Sequence, residues 1–143
     1  MQWATIQTGI HPSNVNVQLE GKVSSETIVN FLLKCNCYVH PSYIENSPNS
    51  VCEAQLIGVP IISTNVGGVS SLITHLWDGI LVPSNDIYML ASYIIDISNN
   101  KKLAEKIGNN GYINSHDRHN PNKVVSDLLS TYNSIVSSHE KNS

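Results

Sequence analysis

Charge is scarce in this chain. Lys, Arg, Asp and Glu make up 13% of its 143 residues, against about a quarter in ordinary globular domains. Basic residues are scarcer still, eight against eleven acids, for a net charge of −3. That removes the positive footprint on which nucleic-acid binding depends. Long apolar runs are also missing, and none approaches the ~20 residues of a membrane-spanning helix. Met1 to Ile10 is mixed in character and carries no basic residue, unlike a secretion signal. Cysteine is limited to Cys35, Cys37 and Cys52. An odd number without a signal peptide reads as reduced and intracellular. The C-x-C of Cys35 and Cys37 is not a zinc pattern and reads as two small apolar residues near a strand. There is no internal repeat, low-complexity tract or charge block.

What is present is enough for one domain with a real core, since 41% of the residues are apolar and the length suits one domain rather than two. Short apolar runs alternate with helical periods. Asn14–Gly21 (NVNVQLEG) reads as a strand. Ser24–Lys34 reads as a helix capped by Ser24, with Ile28, Phe31 and Leu32 on one face. Cys37–His40 is a short buried strand, and Pro48–Ile57 a helix ended by Gly58 and Pro60. Pro60–Thr64 and Ile80–Val82 are further strands. Three helices follow: Asp86–Ile97, Lys101–Asn110, and a last one starting at Asn120–Pro121. The last helix should bury Val124, Val125, Leu128, Leu129, Tyr132 and Ile135 as one stripe. Strand–helix alternation implies an α/β fold, a Rossmann-like parallel sheet with helices on both faces. Such sheets take ligands outside the carboxyl ends of their strands, and the loop Pro41–Ser47 leaves one of those ends.

That loop leads into two carboxylates, Glu45 and Glu53, in PSYIENSPNSVCEAQLIGVPIIS. Ser47 is a good N-cap and Pro48 an ideal first helical residue. The amides of Asn49 and Ser50 then point back toward the loop, and a helix start of this kind attracts phosphate. Glu45 sits just before the cap and Glu53 in the second turn. The arrangement suits a ligand with phosphate in the middle and hydroxyls at both ends, such as a sugar nucleotide. By spacing alone a plainer reading stands beside it: Glu45 complementing the helix dipole, and Glu53 a solvated surface residue.

The segment HPSYIENSPNSVCEAQLIGVPIISTNVGG resembles the donor-binding segment of the family 4 (group 1) retaining glycosyltransferases, which have the two-domain GT-B fold. The family pattern is P-S, E-x7-E, A-x3-G-x-P and a strand, then G-G. It is matched by Pro41–Ser42, Glu45 with Glu53, Ala54, Gly58, Pro60–Ile62 and Gly67–Gly68. The similarity runs from about Val15 to Leu103 and includes DGILVPSND (Asp78–Asp86). It implies that Glu45, the catalytic candidate, holds hydroxyls of the transferred sugar, and that Glu53 holds the ribose. Asn49 and Ser50 would meet the diphosphate or the sugar. Gly21, Lys22 and Val23 lie where the base packs, and Gly67 and Gly68 would line the crevice by letting backbone come close. As an ordinary turn after a strand, the glycine pair reads just as well.

The implied reaction moves a hexose, with retention, from a UDP- or GDP-sugar to a glycan or lipid-linked acceptor. It needs no metal or other cofactor. The implied location is cytoplasmic, with peripheral contact to the inner membrane through the parent enzyme. Two departures stand out. Asn46 follows Glu45 where the family commonly has glycine. The chain also begins just before the VQLEG strand, so the expectation is an N-terminally truncated donor domain, residues 1–143, without an acceptor domain and inactive alone. The rival readings are a non-catalytic sugar-nucleotide-binding module, one half of a split enzyme whose acceptor domain is a separate chain, and a remnant without stable function. Of the other polar features, His116–His119 reads as a helix end, His40 as a packed histidine at the rim, and Trp77–Asp78 as a surface turn.

Overall fold

A computed structural model of the chain describes residues 18–140. Its centre is a parallel sheet in the order β1-β2-β3, with β1 at Tyr38–His40, β2 at Ile61–Thr64 and β3 at Ile80–Val82. The register pairs Val39 with Ile62 and Ser63 with Leu81. Every residue of β2 is buried. Because side chains alternate across a strand, Ile61 and Ile62 feed different cores. Ile61 packs with Leu32, Val51, Ala54, Val69 and Leu72. Ile62 packs with Ile80, Val82, Ile97 and Ile107. The contributing helices are α1 (Ser25–Leu32), α2 (Asn49–Ile57) and α3 (Val69–Leu72) for the first core, with α4 (Ile87–Asn99) and α5 (Lys101–Arg118) for the second. α6 (Pro121–Glu140) follows. The expected Rossmann-like sheet covered on both faces is present.

Local signals set most helix starts. Ser24 Oγ accepts from the Thr27 amide at 3.2 Å, Asp86 Oδ1 from Met89 at 2.8 Å, Asn100 Oδ1 from Leu103 at 3.1 Å and Asn120 Oδ1 from Asn122 at 3.0 Å. Each satisfies an amide that the helix itself leaves open. Gly58 closes α2 in the left-handed region, as its sequence position suggests.

Several expectations are corrected. Of the strand read at Asn14–Gly21, residues 14–17 lie outside the described residues and Gln18–Glu20 are irregular. In α1 only Leu32 is buried, while Ile28 and Phe31 stay exposed. α3 carried no sequence signal. α5 runs past Asn110 to Arg118, because its glycines permit close packing rather than a break: a Cβ on Gly108 would stand 2.3 Å from the Gly58 carbonyl. The apolar stripe of α6 is bare, with all six of its expected core residues exposed. Amphipathic period fixes which face is apolar, and nothing among the described residues covers that face. The turn at Trp77–Asp78 is present, with Trp77 exposed, but Asp78 is buried: its carboxylate accepts from the Thr74 amide and Asn114 Nδ2, each at 2.6 Å.

The His116–His119 segment is a helix end, as read, and it staples the fold. Gln55 is fully buried on α2 and donates to the Leu72 carbonyl at 3.1 Å. Its Oε1 accepts from Arg118 Nη2 at 2.6 Å, and Arg118 Nη1 reaches the same carbonyl at 3.2 Å. Asp117 pairs with Lys123, tying α5 to α6. Arg118→Ala leaves a buried amide oxygen without a partner, a loss of about 1–3 kcal/mol. Urea denaturation should show it, and Gln55→Met combined with Arg118→Ala should cost less than the sum of the two single changes.

All three cysteines are free thiols. Cys37 packs beside the Ile62 core and Cys52 beside the Ile61 core. Burial pushes the Cys37 thiol above its usual value of 9.0, with the neighbouring Cys35 charge adding to the rise, and burial also raises Cys35. The fold therefore favours the neutral thiols. Their contribution is fully present below pH ~9 and is lost as pH climbs through the raised folded values. Stability measured from pH 8 to 11 should fall on the alkaline side. Cys37→Ala should flatten that fall, and alkylation of Cys37 should need a higher pH in the folded chain than in the unfolded one.

Candidate functional site

Two loops leave neighbouring carboxyl ends of the sheet, 41–47 after β1 and 65–68 after β2. The first is fixed from below by β2. Ser63 Oγ donates to the His40 carbonyl at 3.2 Å, and Thr64 Oγ1 donates to the Ser42 carbonyl at 2.5 Å. Ser42 Oγ closes the turn onto the Ile44 carbonyl at 2.9 Å. The second loop then lies directly on the first. A Cβ built on Gly67, whose φ is +50°, would fall 1.6 Å from the Glu45 carbonyl oxygen. On Gly68 it would fall 1.9 Å from that of Asn46. No side chain fits at either position, so the expected close approach at the glycine pair is between the two loops. Asn46, where the family commonly has glycine, is not among the positive-φ residues. Its replacement of glycine therefore carries no left-handed strain.

This places Glu45 with its side chain 29% exposed. Oε2 lies 3.3 Å from His40 Nε2, and His40 Nδ1 lies 3.3 Å from the Tyr38 hydroxyl. No hydrogen bond is recorded for Oε1 among the described residues. Tyr38 and His40 share a face of β1 because they are two apart. Tyr43 and Ile44 project into solvent beside them. His40 was legible as a rim residue but not as the partner of Glu45. The signal was Y-x-H at a strand end with a carboxylate five residues on.

The start of α2 differs from expectation. Pro48, not Ser47, holds the cap position, with φ −72° and ψ 113°, and no side chain caps the helix. The Val51 amide bonds the Pro48 carbonyl at 3.1 Å, the first bond of the helix. Asn49 and Ser50 are the first two helical residues, whose amides have no partner within the helix. Glu53 is exposed on α2 and makes no hydrogen bond or ion pair among the described residues. Gly21 and Lys22 are exposed, and Val23 half-buried, in the irregular stretch before α1. No described hydrogen bond or ion pair ties them to Glu45. The structure thus brings together Glu45, Gly67 and Gly68 just before α2. A groove of about 630 Å³ opens at the carboxyl end of β3, bordered by Asn65, Val82, Pro83 and Ser84 among others.

A parallel sheet with helices on both faces and loops gathered at its carboxyl edge is the α/β class that takes ligands at that edge. The chain belongs to the family described as Glycosyl transferases group 1, which it matches over residues 10–114. It is similar to the capsular polysaccharide biosynthesis glycosyltransferase CapM of Staphylococcus aureus, 31% identical over 127 residues, covering 89% of this chain and 33% of that protein. Among solved structures it is similar to sucrose-phosphate synthase from Thermosynechococcus elongatus. There the TM-score is 0.72 and the identity 26%, over 83% of this chain and 30% of that one. The fold is also shared with Anabaena HepE, solved in complex with UDP-glucose, at TM-score 0.67 and 22% identity, over 75% and 30% of the two chains. The chain spans about a third of the length of these relatives. Among the described residues no helix is long and apolar enough to cross a membrane.

The loop-on-loop contact makes a direct prediction. Gly67→Ala must displace the Glu45–Asn46 backbone, so amide spectra should shift at residues 44–47. Ser70→Ala, exposed on α3, should leave those signals in place.

Proposed function

We propose that this chain carries the donor-binding portion of a group 1 glycosyltransferase and takes a nucleotide diphosphate sugar at the carboxyl ends of β1 and β2. The observation that carries the reading is Glu45, held between His40 and the Gly67–Gly68 turn, next to the uncapped start of α2. The amides of Asn49 and Ser50 are oriented for the diphosphate, because a helix N-terminus offers both donors and positive potential. The missing Ser47 cap leaves those donors open to a ligand. Glu45 accepts hydroxyls of the transferred sugar through its open oxygen, and Glu53 accepts those of the ribose from α2. Gly21, Lys22 and Val23 border the base. HepE, which shares the fold, binds UDP-glucose, in line with such a donor.

In the whole enzyme the reaction is transfer of a hexose to a glycan or lipid-linked acceptor with retention. The acceptor hydroxyl attacks on the face from which the nucleotide diphosphate departs. Glu45 orients the sugar for that step, and a second wall over the crevice excludes water. No metal or other cofactor is called on.

Titration calorimetry with UDP, GDP and their common sugar conjugates tests the donor site. The expected result is binding of one nucleotide series. Glu53→Ala should weaken both nucleotide and conjugate by about 1.5–3 kcal/mol, the range for hydrogen bonds to a charged group. A folded chain that binds neither series overturns the reading.

A further inference from the structure

We infer that His40 is a positioning residue for the transferred-sugar grip, acting through Glu45 in a hydrogen-bonded chain that starts at Tyr38. The inference rests on the donor-site reading of Glu45.

The order of the chain follows from what each group can do. A carboxylate only accepts hydrogen bonds, so the bond at 3.3 Å between His40 Nε2 and Glu45 Oε2 requires a proton on Nε2. In a neutral imidazole, Nδ1 is then the acceptor, and the Tyr38 hydroxyl 3.3 Å away must donate to it. With the ring neutral, one arrangement satisfies both contacts: Tyr38 O–H to Nδ1, and Nε2–H to Glu45 Oε2. Tyr38 thereby sets which nitrogen faces the carboxylate.

The geometry around the ring supports an orienting role. The His40 backbone is locked at the end of β1 by its pairing with Ser63 and by the Ser63 hydroxyl on its carbonyl. Pro41 behind it favours the extended backbone that carries the strand to its end. The ring is 15% exposed, so few other orientations are open to it. Glu45 is held at its backbone by Gly67 and at Oε2 by His40. That leaves Oε1 for the ligand. The remaining freedom of a carboxylate is rotation about its terminal bonds, and His40 removes it before the sugar arrives. This is preorganisation of a binding group by a partner behind it.

The claim separates from a general structural role because Glu45 serves the sugar and not the nucleotide. The test uses the 143-residue chain with two readouts. The first is the nitrogen-15 spectrum of the His40 ring. Nε2 should carry a proton, and the ring signals should move in Tyr38→Phe and in Glu45→Gln. The second is calorimetry with UDP-glucose against UDP, or GDP-mannose against GDP if guanine is the base taken. His40→Leu should weaken the sugar conjugate about tenfold and the nucleotide alone less than about twofold. His40→Gln, which keeps an N–H donor, should recover most of the loss.

An Nε2 without a proton overturns the inference whatever the titration gives. So does equal weakening of conjugate and nucleotide in His40→Leu, which marks a collapsed loop. If the wild-type chain binds no nucleotide, the donor-site reading fails by itself. The ring spectrum then still decides whether Tyr38 and Glu45 fix the His40 tautomer.

Discussion

The contact that orders the candidate site is between two pieces of backbone. Gly67 and Gly68 lie so close to the Glu45 and Asn46 carbonyls that any Cβ would overlap them. A side chain at either position would push the two loops apart, so this approach depends on the glycine pair. The Thr64 hydroxyl on the Ser42 carbonyl ties the same loop to the sheet beneath. β2 is therefore both the hydrophobic centre of the fold and the clamp on the functional loop. Its first two residues, Ile61 and Ile62, fill the two cores. Its last two, Ser63 and Thr64, are buried polar residues whose hydroxyls donate to the His40 carbonyl at the end of β1 and to the Ser42 carbonyl in the loop after it. Burying those hydroxyls without partners would be costly, so the loop and the strand need each other.

A second set of contacts holds α2 from behind. The helix that starts at the site carries Gln55 on its buried side, and Arg118 reaches that side chain from the end of α5. Gly108 lets α5 approach the Gly58 carbonyl at the other end of the helix. The start of α2 is uncapped, so these distant contacts hold the helix in place while its first amides stay open. An open helix start is useful for taking an anion and unfavourable for helix stability. The packing of α5 on α2 lets the protein keep it open.

Local chemistry was the legible part of the sequence. Ser24 and Asn120 cap helices where their types and spacing predict, Gly58 ends α2, and the apolar runs at Ile61 and Ile80 are strands. The doubly covered parallel sheet followed from that alternation. The glutamate pair and the Gly67–Gly68 turn were singled out from the sequence, largely through the resemblance to group 1 glycosyltransferases. What escaped depends on partners far along the chain. Asp78 reads as a surface residue until Asn114, 36 positions away, comes to its carboxylate. The helix read as ending at Asn110 continues to Arg118, with Gly111 letting it pack on the Asp78 carbonyl. The α6 stripe has the right period for burial, but period identifies an apolar face without identifying what covers it. Ser47 was misread because Ser-Pro favours a cap at serine, while the packing that buries Pro48 moves the helix start by one residue.

The two glutamates are ordered by different means. Glu53 stands on α2, whose backbone is fixed by its own hydrogen bonds, and its side chain is free to adapt. Glu45 lies in a loop, where fixing one residue's backbone costs about 1–2 kcal/mol in conformational entropy. In this chain that cost falls on folding, through Gly67, the turn at Ser42 and the ring of His40. A ligand meeting Glu45 therefore finds a carboxylate already directed, and one meeting Glu53 finds a side chain that must still settle. On the proposed donor reading, the stiffer group would stand where geometry decides the chemistry, at a sugar whose reacting carbon must be aligned. On the same reading, the softer one would suffice where contact only holds a ribose in place. In a chain with so few charges, that division of labour gives the two carboxylates separate reasons to be where they are.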